Sequence, residues 1–178
     1  MAKIIFLALM SLIFLIFVFG FGVKISVNVS DSMPRGIYFM TGILDTDFRK
    51  NDVISFCPSE EKMDFFETRN YISGYTGASC YGKFPPFLKH IIAIEGDNIE
   101  VKSDSIFLNG FLLKNSNIFN TDKLNRPIFR LQNGYKIKLL KDEYFTFADG
   151  LRRSLDSRYL GIIKKENILS KSYLIWRF

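Results

Sequence analysis

The sequence predicts a mainly β domain, a barrel or a sandwich, behind one N-terminal transmembrane helix. The first 24 residues are almost wholly apolar, which sets them apart from the rest of the chain. Residues 25–178 are divided into short runs of β-branched and aromatic residues, and Gly, Asn, Asp and Ser separate these runs. About 155 residues are enough for one domain with its own core.

The apolar start, residues 1–24, is interpreted as a membrane anchor. From Ile4 to Val23 no side chain is charged, and Ser11 is the only polar one. About 20 helical residues at ~1.5 Å each cover the ~30 Å of bilayer hydrocarbon. A cleaved signal peptide would have a shorter apolar run and an Ala-x-Ala site, which residues 20–24 lack. We therefore expect an uncleaved, single-pass anchor.

The remaining residues, 25–178, read as strands with one short helix near Met63–Tyr71. The clearest hairpin is Ile99–Leu112, with Ser103-Asp104 at its turn and Asn109-Gly110 as a second turn signal. The polar stretch Asn115–Pro127 is expected to be a surface loop. Short, closely spaced strands favour a barrel or a sandwich. The predicted strands are Ile25–Val29, Gly36–Met40, Val53–Phe56, Phe87–Ile94, Ile99–Lys102, Ile106–Asn109, Tyr135–Leu140, Tyr144–Phe147 and Tyr159–Ile163.

Cys57 and Cys80 bracket an aromatic-rich insertion, residues 57–81, which we expect to form a cap on the β domain. In an oxidising compartment a disulfide between them would close a loop of about 24 residues and contribute ~3 kcal/mol on the chain-entropy model. The alternative is two buried free thiols. A disulfide would favour a location outside the cytoplasm.

Composition excludes some classes of partner and ligand. The 24 basic and 18 acidic residues give a charge of +6 without a block of like charges, so nucleic acid is not an expected partner. A modest positive charge suits a surface near lipid headgroups. One His and two Cys cannot form a four-ligand zinc site without carboxylates, so we expect no metal and no cofactor.

Three segments contain candidate catalytic residues, and the first surrounds Ser32. In Ser30-Asp31-Ser32-Met33-Pro34-Arg35-Gly36, the proline and glycine favour a turn that could expose Ser32 as a nucleophile. Taken alone, the pattern also fits an ordinary loop.

The second segment is the strand Phe87–Ile94, in which Lys89 stands among apolar residues on both faces. Burial would lower the lysine pKa, and a general base near neutral pH needs a fall of roughly three units from ~10.4. The alternative is a lysine that reaches solvent from an edge strand. His90, the one histidine, is the other possible base, but neighbouring strand residues face opposite ways. Ser-Lys dyads are an established variant of the serine protease site.

The third segment, residues 148–161, is polar and densely charged. Asp156 and Arg158 could form an ion pair, and Ser154 could orient another side chain. Taken alone, this segment reads as a solvated loop.

Together the three segments resemble the sequence motifs of bacterial type I signal peptidases, peptidase family S26. The resemblance lies in Ser30-x-Ser32-Met33, in Lys89-His90 followed by Gly96-Asp97, and in Ser154-x-Asp156-Ser157-Arg158-Tyr159-x-Gly161. Met33 directly before Pro34, the cysteine pair and the small size are similar to the conjugative-transfer branch (TraF type). That branch matures pilin subunits of type IV secretion systems.

The resemblance implies a role for each matching residue. Ser32 would attack the scissile carbonyl, neutral Lys89 would take its proton, and the Ser30 hydroxyl would join the Ser32 N–H in the oxyanion hole. Ser154 would hydrogen-bond the Lys89 amine. The supporting ion pair would be formed by Asp156 and Arg158.

Two positions depart from the family pattern. His90 stands where the family commonly has Arg or Lys, so a partner for Asp156 at this position would be charged only at lower pH. Ala148-Asp149-Gly150 replaces the usual Gly-Asp-Asn.

The resemblance implies a membrane-anchored serine endopeptidase on the periplasmic side of the bacterial inner membrane. Its partners would be membrane lipid and a precursor, either a prepilin or a secretory preprotein, with small residues at the cut site. Residues 173–176 could touch lipid, although a final core strand is the favoured interpretation. The alternatives are a general signal peptidase I and a catalytically silent anchored scaffold of a secretion complex. A self-cleaving repressor is disfavoured because no helix-turn-helix pattern precedes Ser32.

Overall fold

The structure, a computed structural model, describes residues 2–20, 24–42 and 47–178. Helix α1 comprises Ala2–Gly20. Within these ranges no helix combines the length and the apolar character needed to cross a bilayer. The predicted anchor, residues 1–24, includes residue 1 and residues 21–23, which lie outside the described ranges.

The β structure that follows confirms the mainly β prediction. Its elements in chain order are β1 Lys24–Asn28, β2 Gly36–Thr41, β3 Val53–Phe56, α2 Glu60–Thr68, β4 Phe87–Ala93, β5 Asn98–Lys102, β6 Ser105–Leu108, β7 Phe111–Leu112, β8 Lys136–Lys138, β9 Glu143–Phe147, α3 Ser157–Leu160, β10 Ile163–Lys164 and β11 Ile168–Arg177. A short 3₁₀ turn, Lys165–Asn167, precedes β11.

These strands form two antiparallel sheets. The larger has seven strands in the order β1-β2-β11-β3-β4-β9-β10, and the smaller has four in the order β7-β6-β5-β8. β11 therefore lies between β2 and β3, although it follows every other described strand in the chain.

Two clusters of buried apolar side chains hold the fold together. The first lies around Ile54, Phe56 and Ile91 and includes Met63 and Phe66 of α2. The second is centred on the smaller sheet. Helix α2 buries Met63 and Phe66, three residues apart on one side, as expected for a helix packed on a sheet. The insertion 57–81 is thus anchored in the core by its helix.

The disulfide prediction is confirmed, and the alternative of two free thiols is wrong. Cys57 and Cys80 are bonded, with their Cα atoms 5.5 Å apart, and both belong to the first cluster.

The predicted hairpin Ile99–Leu112 is confirmed together with its turns. Ser103 and Asp104 both have positive φ, 49° and 51°, as a type I′ turn between β5 and β6 requires. Asn109 and Gly110 repeat this pattern between β6 and β7, with φ values of 52° and 86°.

The predicted strand Tyr159–Ile163 is wrong for most of its length. Asp156 caps a helical turn, α3, because its side chain accepts a hydrogen bond from the Arg158 N–H. The turn ends at Gly161, whose φ of 76° favours glycine. This local capping outweighs the β propensity of Tyr and Ile, so that only Ile163 and Lys164 pair with β9.

Candidate functional site

Ser32 lies in the turn between β1 and β2, residues 29–35, called the serine turn below. Asn28 holds this turn from inside. Its Nδ2 donates to the carbonyl oxygens of Ser30, Met33 and Pro34 at 3.0–3.1 Å. Its Oδ1 accepts from the Ser30 N–H at 3.1 Å and from the Ser30 hydroxyl at 2.7 Å. Sequence reasoning missed Asn28, although Asn is a residue type that often bonds to nearby backbone in turns.

The end of the serine turn is fixed against the sheet. Tyr38 donates its hydroxyl to Pro34 O at 2.8 Å, and Met33 is buried. A Cβ at Gly36 would collide with the carbonyl oxygen of Trp176 on β11, so only glycine allows this approach. The turn residues of the first segment therefore set the direction in which Ser32 points.

Lys89 lies on β4, and its side chain is only 5% exposed. Phe87, Ile91 and Ala93 share its buried face, whereas Leu88 and His90 on the other face are half-buried. The prediction of two buried faces is therefore correct for one face only. Because β3 and β9 pair with β4 on its two sides, Lys89 cannot reach solvent along a free edge.

The structure brings Lys89 and Ser32 together. Lys89 Nζ lies 3.0 Å from Ser32 Oγ and also donates to Leu88 O at 2.9 Å. Strands β2 and β4 are separated by β11 and β3, about 14 Å at the usual strand spacing, so this contact requires the sheet to curl. Ser30 Oγ lies 3.1 Å from Ser32 Oγ, on the exposed side.

The charge state of Lys89 depends mainly on burial. Burial lowers the pKa of Lys89 from 10.5 to about 8, while Asp156 raises this pKa and Arg158 lowers it further. A neutral amine beside a hydroxyl can accept its proton, which is the first requirement of a serine nucleophile.

Residues 148–161, called the support loop below, carry a fully buried ion pair. Asp156 Oδ1 accepts from Arg158 Nε at 2.8 Å, and Asp156 Oδ2 accepts from Arg158 Nη2 at 2.8 Å. Both side chains are 0% exposed. Arg158 Nη1 also donates to Asn117 O and Arg152 O, and the Ala148 N–H donates to Asp156. This pair therefore has hydrogen-bond partners that offset much of its desolvation.

Ser154 is buried, but it does not make the predicted hydrogen bond to Lys89. Its hydroxyl is buried without a hydrogen-bond partner among the described residues. Ser157, by contrast, accepts from the Thr146 N–H at 2.8 Å and joins the support loop to β9.

The two departures from the family pattern have visible consequences. Asp156 pairs with Arg158, whereas His90 Nδ1 lies 3.4 Å from Asn51 O, so His90 is not the partner of Asp156. Asp149 and Gly150 form an exposed turn directly after β9.

An open cleft of about 390 Å³ adjoins Ser32. Its lining combines the serine turn, His90, the turn Asp149-Gly150, and the end of β11 at Arg177 and Phe178. The nucleophile candidate is thus accessible, while the lysine lies behind it. No group of three or more His, Cys, Asp or Glu side chains within residues 2–20, 24–42 and 47–178 is arranged to hold a metal ion.

The chain is similar to signal peptidases and to conjugal transfer proteins. The family described as "Signal peptidase, peptidase S26" matches residues 1–177. The chain is 27% identical over 153 residues to the plasmid transfer protein TraF of Escherichia coli, covering 84% of this chain and 82% of the relative. It is 33% identical over 85 residues to signal peptidase I P of Bacillus subtilis subsp. natto, 46% of each chain.

A solved structure is also similar. The crystal structure of a signal peptidase I from Enterococcus faecalis V583 covers 70% of this chain and 96% of its own, with 20% identity and a TM-score of 0.38. The match over residues 1–177 is decisive: this chain belongs to the signal peptidase family, peptidase S26.

Proposed function

We propose that this protein is a serine endopeptidase in which Ser32 is the nucleophile and Lys89 the general base. The observation that carries the proposal is the 3.0 Å separation between Ser32 Oγ and a lysine amine that is 5% exposed. A lysine in solvent would be charged at neutral pH and could not accept a proton.

In the proposed reaction, Ser32 Oγ attacks the scissile carbonyl carbon as its proton passes to Lys89 Nζ. The charged lysine then returns the proton to the leaving amine, and an acyl-enzyme ester remains. Water cleaves this ester with Lys89 again as the base. The cleft beside Ser32 offers the access that substrate and water need.

Ser30 is proposed as an oxyanion donor together with the Ser32 N–H. Its hydroxyl is exposed and lies 3.1 Å from the nucleophile. Its one O–H donates to Asn28 Oδ1 at 2.7 Å in this structure and would have to turn from Asn28 to the oxyanion when substrate binds. Loss of one such donor typically costs roughly 10²–10³ in rate. Asp156 and Arg158 are proposed as supporting residues that fix the wall behind Lys89.

The proposed substrate is an exported precursor with small residues at the cut site, in particular a prepilin of a conjugation or type IV secretion system. The TraF similarity over 153 residues favours this class, and "Conjugal transfer protein TraF" of Agrobacterium fabrum is another such relative, 27% identical. The substrate chain would enter the cleft beside Ser32, which is lined by the serine turn, His90, Asp149-Gly150 and the end of β11.

We also propose a location at the periplasmic face of the inner membrane, with residues 1–24 as the anchor and 25–178 as the catalytic domain. The Cys57–Cys80 disulfide supports an oxidising compartment. Tyr173, Ile175 and Trp176 of β11 are exposed, so the favoured interpretation of residues 173–176 as a core strand is wrong. We propose that these side chains face lipid.

The test is in vitro processing of a prepilin by the full chain in detergent. Ser32→Ala and Lys89→Ala should each lower the cleavage rate at least about 10³-fold. Ser105→Ala and Lys114→Ala, at partly or fully exposed positions away from the cleft, are matched controls that should cleave normally. If both active-site variants process the precursor at the wild-type rate, Ser32 and Lys89 are not the catalytic pair. If the wild-type chain itself leaves the precursor uncut, the chain is a silent scaffold.

A general signal peptidase I is the second candidate, favoured by the 33% identity to signal peptidase I P. The same assay with an ordinary secretory preprotein separates the two. A kcat/KM for the secretory preprotein equal to or above that for the prepilin would assign the general function.

A further inference from the structure

A second cavity, of about 520 Å³, lies away from Ser32 between the insertion 57–81 and the loops around it. We call it the cap pocket. It shares no lining residue with the cleft beside Ser32. Its floor is apolar and formed by Ile128, Leu155 and Tyr159, and its size is that of a ligand site.

The rim of the cap pocket is cationic. Arg69, Lys123, Arg126 and Arg153 line it, against the single carboxylate of Asp122. Four cations against one carboxylate leave an excess of three positive charges around one cavity. A concave, partly apolar site strengthens such a field relative to a flat surface.

Asp122 is already fully engaged and cannot neutralise this rim further. It accepts from the Tyr71 hydroxyl at 2.6 Å, from the Leu124 N–H at 2.8 Å, and from Arg126 through N at 2.9 Å and Nε at 2.7 Å. Burial would raise the pKa of Asp122, but the hydrogen bonds from Tyr71 and Arg126 hold this pKa well below its usual value. The carboxylate is therefore part of the pocket wall.

Two of the guanidinium groups are held in place yet retain free donors. Arg153 lies 4.0 Å from the centre of the Phe119 ring and donates one bond, to Thr121 O at 2.8 Å. Arg69 lies 4.9 Å from the centre of the Phe65 ring. A guanidinium has five N–H donors in a planar fork, so stacked arginines are pre-organised to bind carboxylates.

We propose that the cap pocket binds an acidic peptide segment carrying one aromatic or aliphatic side chain. The carboxylates would pair with the rim arginines and Lys123, and the apolar side chain would cover Ile128 and Leu155. A nucleic acid would need a longer groove that follows several phosphates, whereas these cations surround a single cavity.

The test uses the full chain with Ser32→Ala in detergent and fluorescein-labelled peptides containing Glu-Glu-Phe-Glu-Glu, Lys-Lys-Phe-Lys-Lys or Glu-Glu-Ala-Glu-Glu. Fluorescence anisotropy should show salt-sensitive binding of the first peptide, and binding about tenfold weaker for the alanine peptide. The lysine peptide should not bind. Since Ser32→Ala removes the proposed nucleophile, this result is independent of the proposed catalytic function.

Charge variants locate the binding. Lys123→Glu and Arg69→Gln should each weaken the acidic peptide about fivefold. Lys141→Glu, an exposed lysine outside the lining, is the matched control and should leave the affinity unchanged. Equal binding of the acidic and lysine peptides, or equal loss in the Lys141→Glu control, would overturn the proposal. A different ligand class would also overturn the proposal. This would be the outcome if anionic vesicles or oligo(dT) bind, if Lys123→Glu abolishes that binding, and if the acidic peptide does not bind.

Discussion

The serine turn and the support loop each contain an Asp–Arg ion pair, and the two pairs differ in environment. Asp31 and Arg35 lie 2.7 Å apart with side chains 65% and 53% exposed. Asp156 and Arg158 have the same chemistry and are both 0% exposed. In the proposed mechanism the serine side admits a substrate, whereas the lysine side excludes water and so favours a neutral amine. The same two residue types therefore form an exposed ion pair within the serine turn and a fully buried ion pair within the support loop.

The largest expected effect comes from breaking the buried pair. Arg158→Met leaves the Asp156 carboxylate buried without its cation, which should lower the free energy of unfolding by about 3–5 kcal/mol. Arg35→Met removes the exposed pair and should cost less than about 1 kcal/mol. Urea denaturation of the two variants measures the contrast. Equal losses would show that burial does not distinguish the pairs.

The buried lysine gives the next largest effect, with the opposite sign. Lys89→Met should raise the free energy of unfolding at pH 7 by up to about 3 kcal/mol, because the pKa of Lys89 falls from 10.5 to about 8 on folding. The wild-type penalty is fully present below pH 8. It disappears as the pH rises toward 10.5, so the difference between variant and wild type should shrink over that window.

The same pKa predicts the pH dependence of wild-type cleavage. Only about a tenth of the enzyme holds neutral Lys89 at pH 7, so kcat/KM should rise as the pH passes through about 8. For the stability prediction, a difference in the free energy of unfolding between Lys89→Met and wild type that does not change with pH would contradict the lowered pKa of Lys89.

The smallest expected effect is that of Ser154→Ala. Its hydroxyl is buried and has no hydrogen-bond partner among the described residues, so its removal should change the free energy of unfolding by less than about 1 kcal/mol, in the stabilising direction. Cleavage should change less than about threefold. If kcat instead falls more than about tenfold with unchanged stability, Ser154 does hydrogen-bond to Lys89 in the working protein, as the resemblance implies.

Much of the fold was predictable because its signals are local. Ser103-Asp104 and Asn109-Gly110 tolerate positive φ, which defines the hairpin regardless of the rest of the chain. Lys89 was recognisable because an apolar strand surrounds it. The helical turn that replaces the predicted strand Tyr159–Ile163 also has local signals, the Asp156 cap and Gly161. The β propensity of Tyr and Ile concealed them.

Other features depend on contacts between distant parts of the chain. The clamp by Asn28 requires the turn to be closed, and the position of β11 between β2 and β3 follows from tertiary pairing. Nearby residues in the sequence predict neither the Asn28 hydrogen bonds nor the position of β11. The surroundings of the Ser154 hydroxyl likewise depend on tertiary packing. The resemblance implied a hydrogen bond to Lys89, whereas the hydroxyl has no hydrogen-bond partner among the described residues.

The place of β11 in the larger sheet has a consequence for biosynthesis. Ser32 belongs to the turn before β2 and Lys89 to β4, and the sheet connects these strands only through β11 and β3. A ribosome delivers β11 after both residues have emerged. A chain in which β11 has not yet paired therefore holds the two side chains in separate, unjoined pieces of sheet. The alignment of Ser32 with Lys89 in this way depends on the insertion of β11 between β2 and β3.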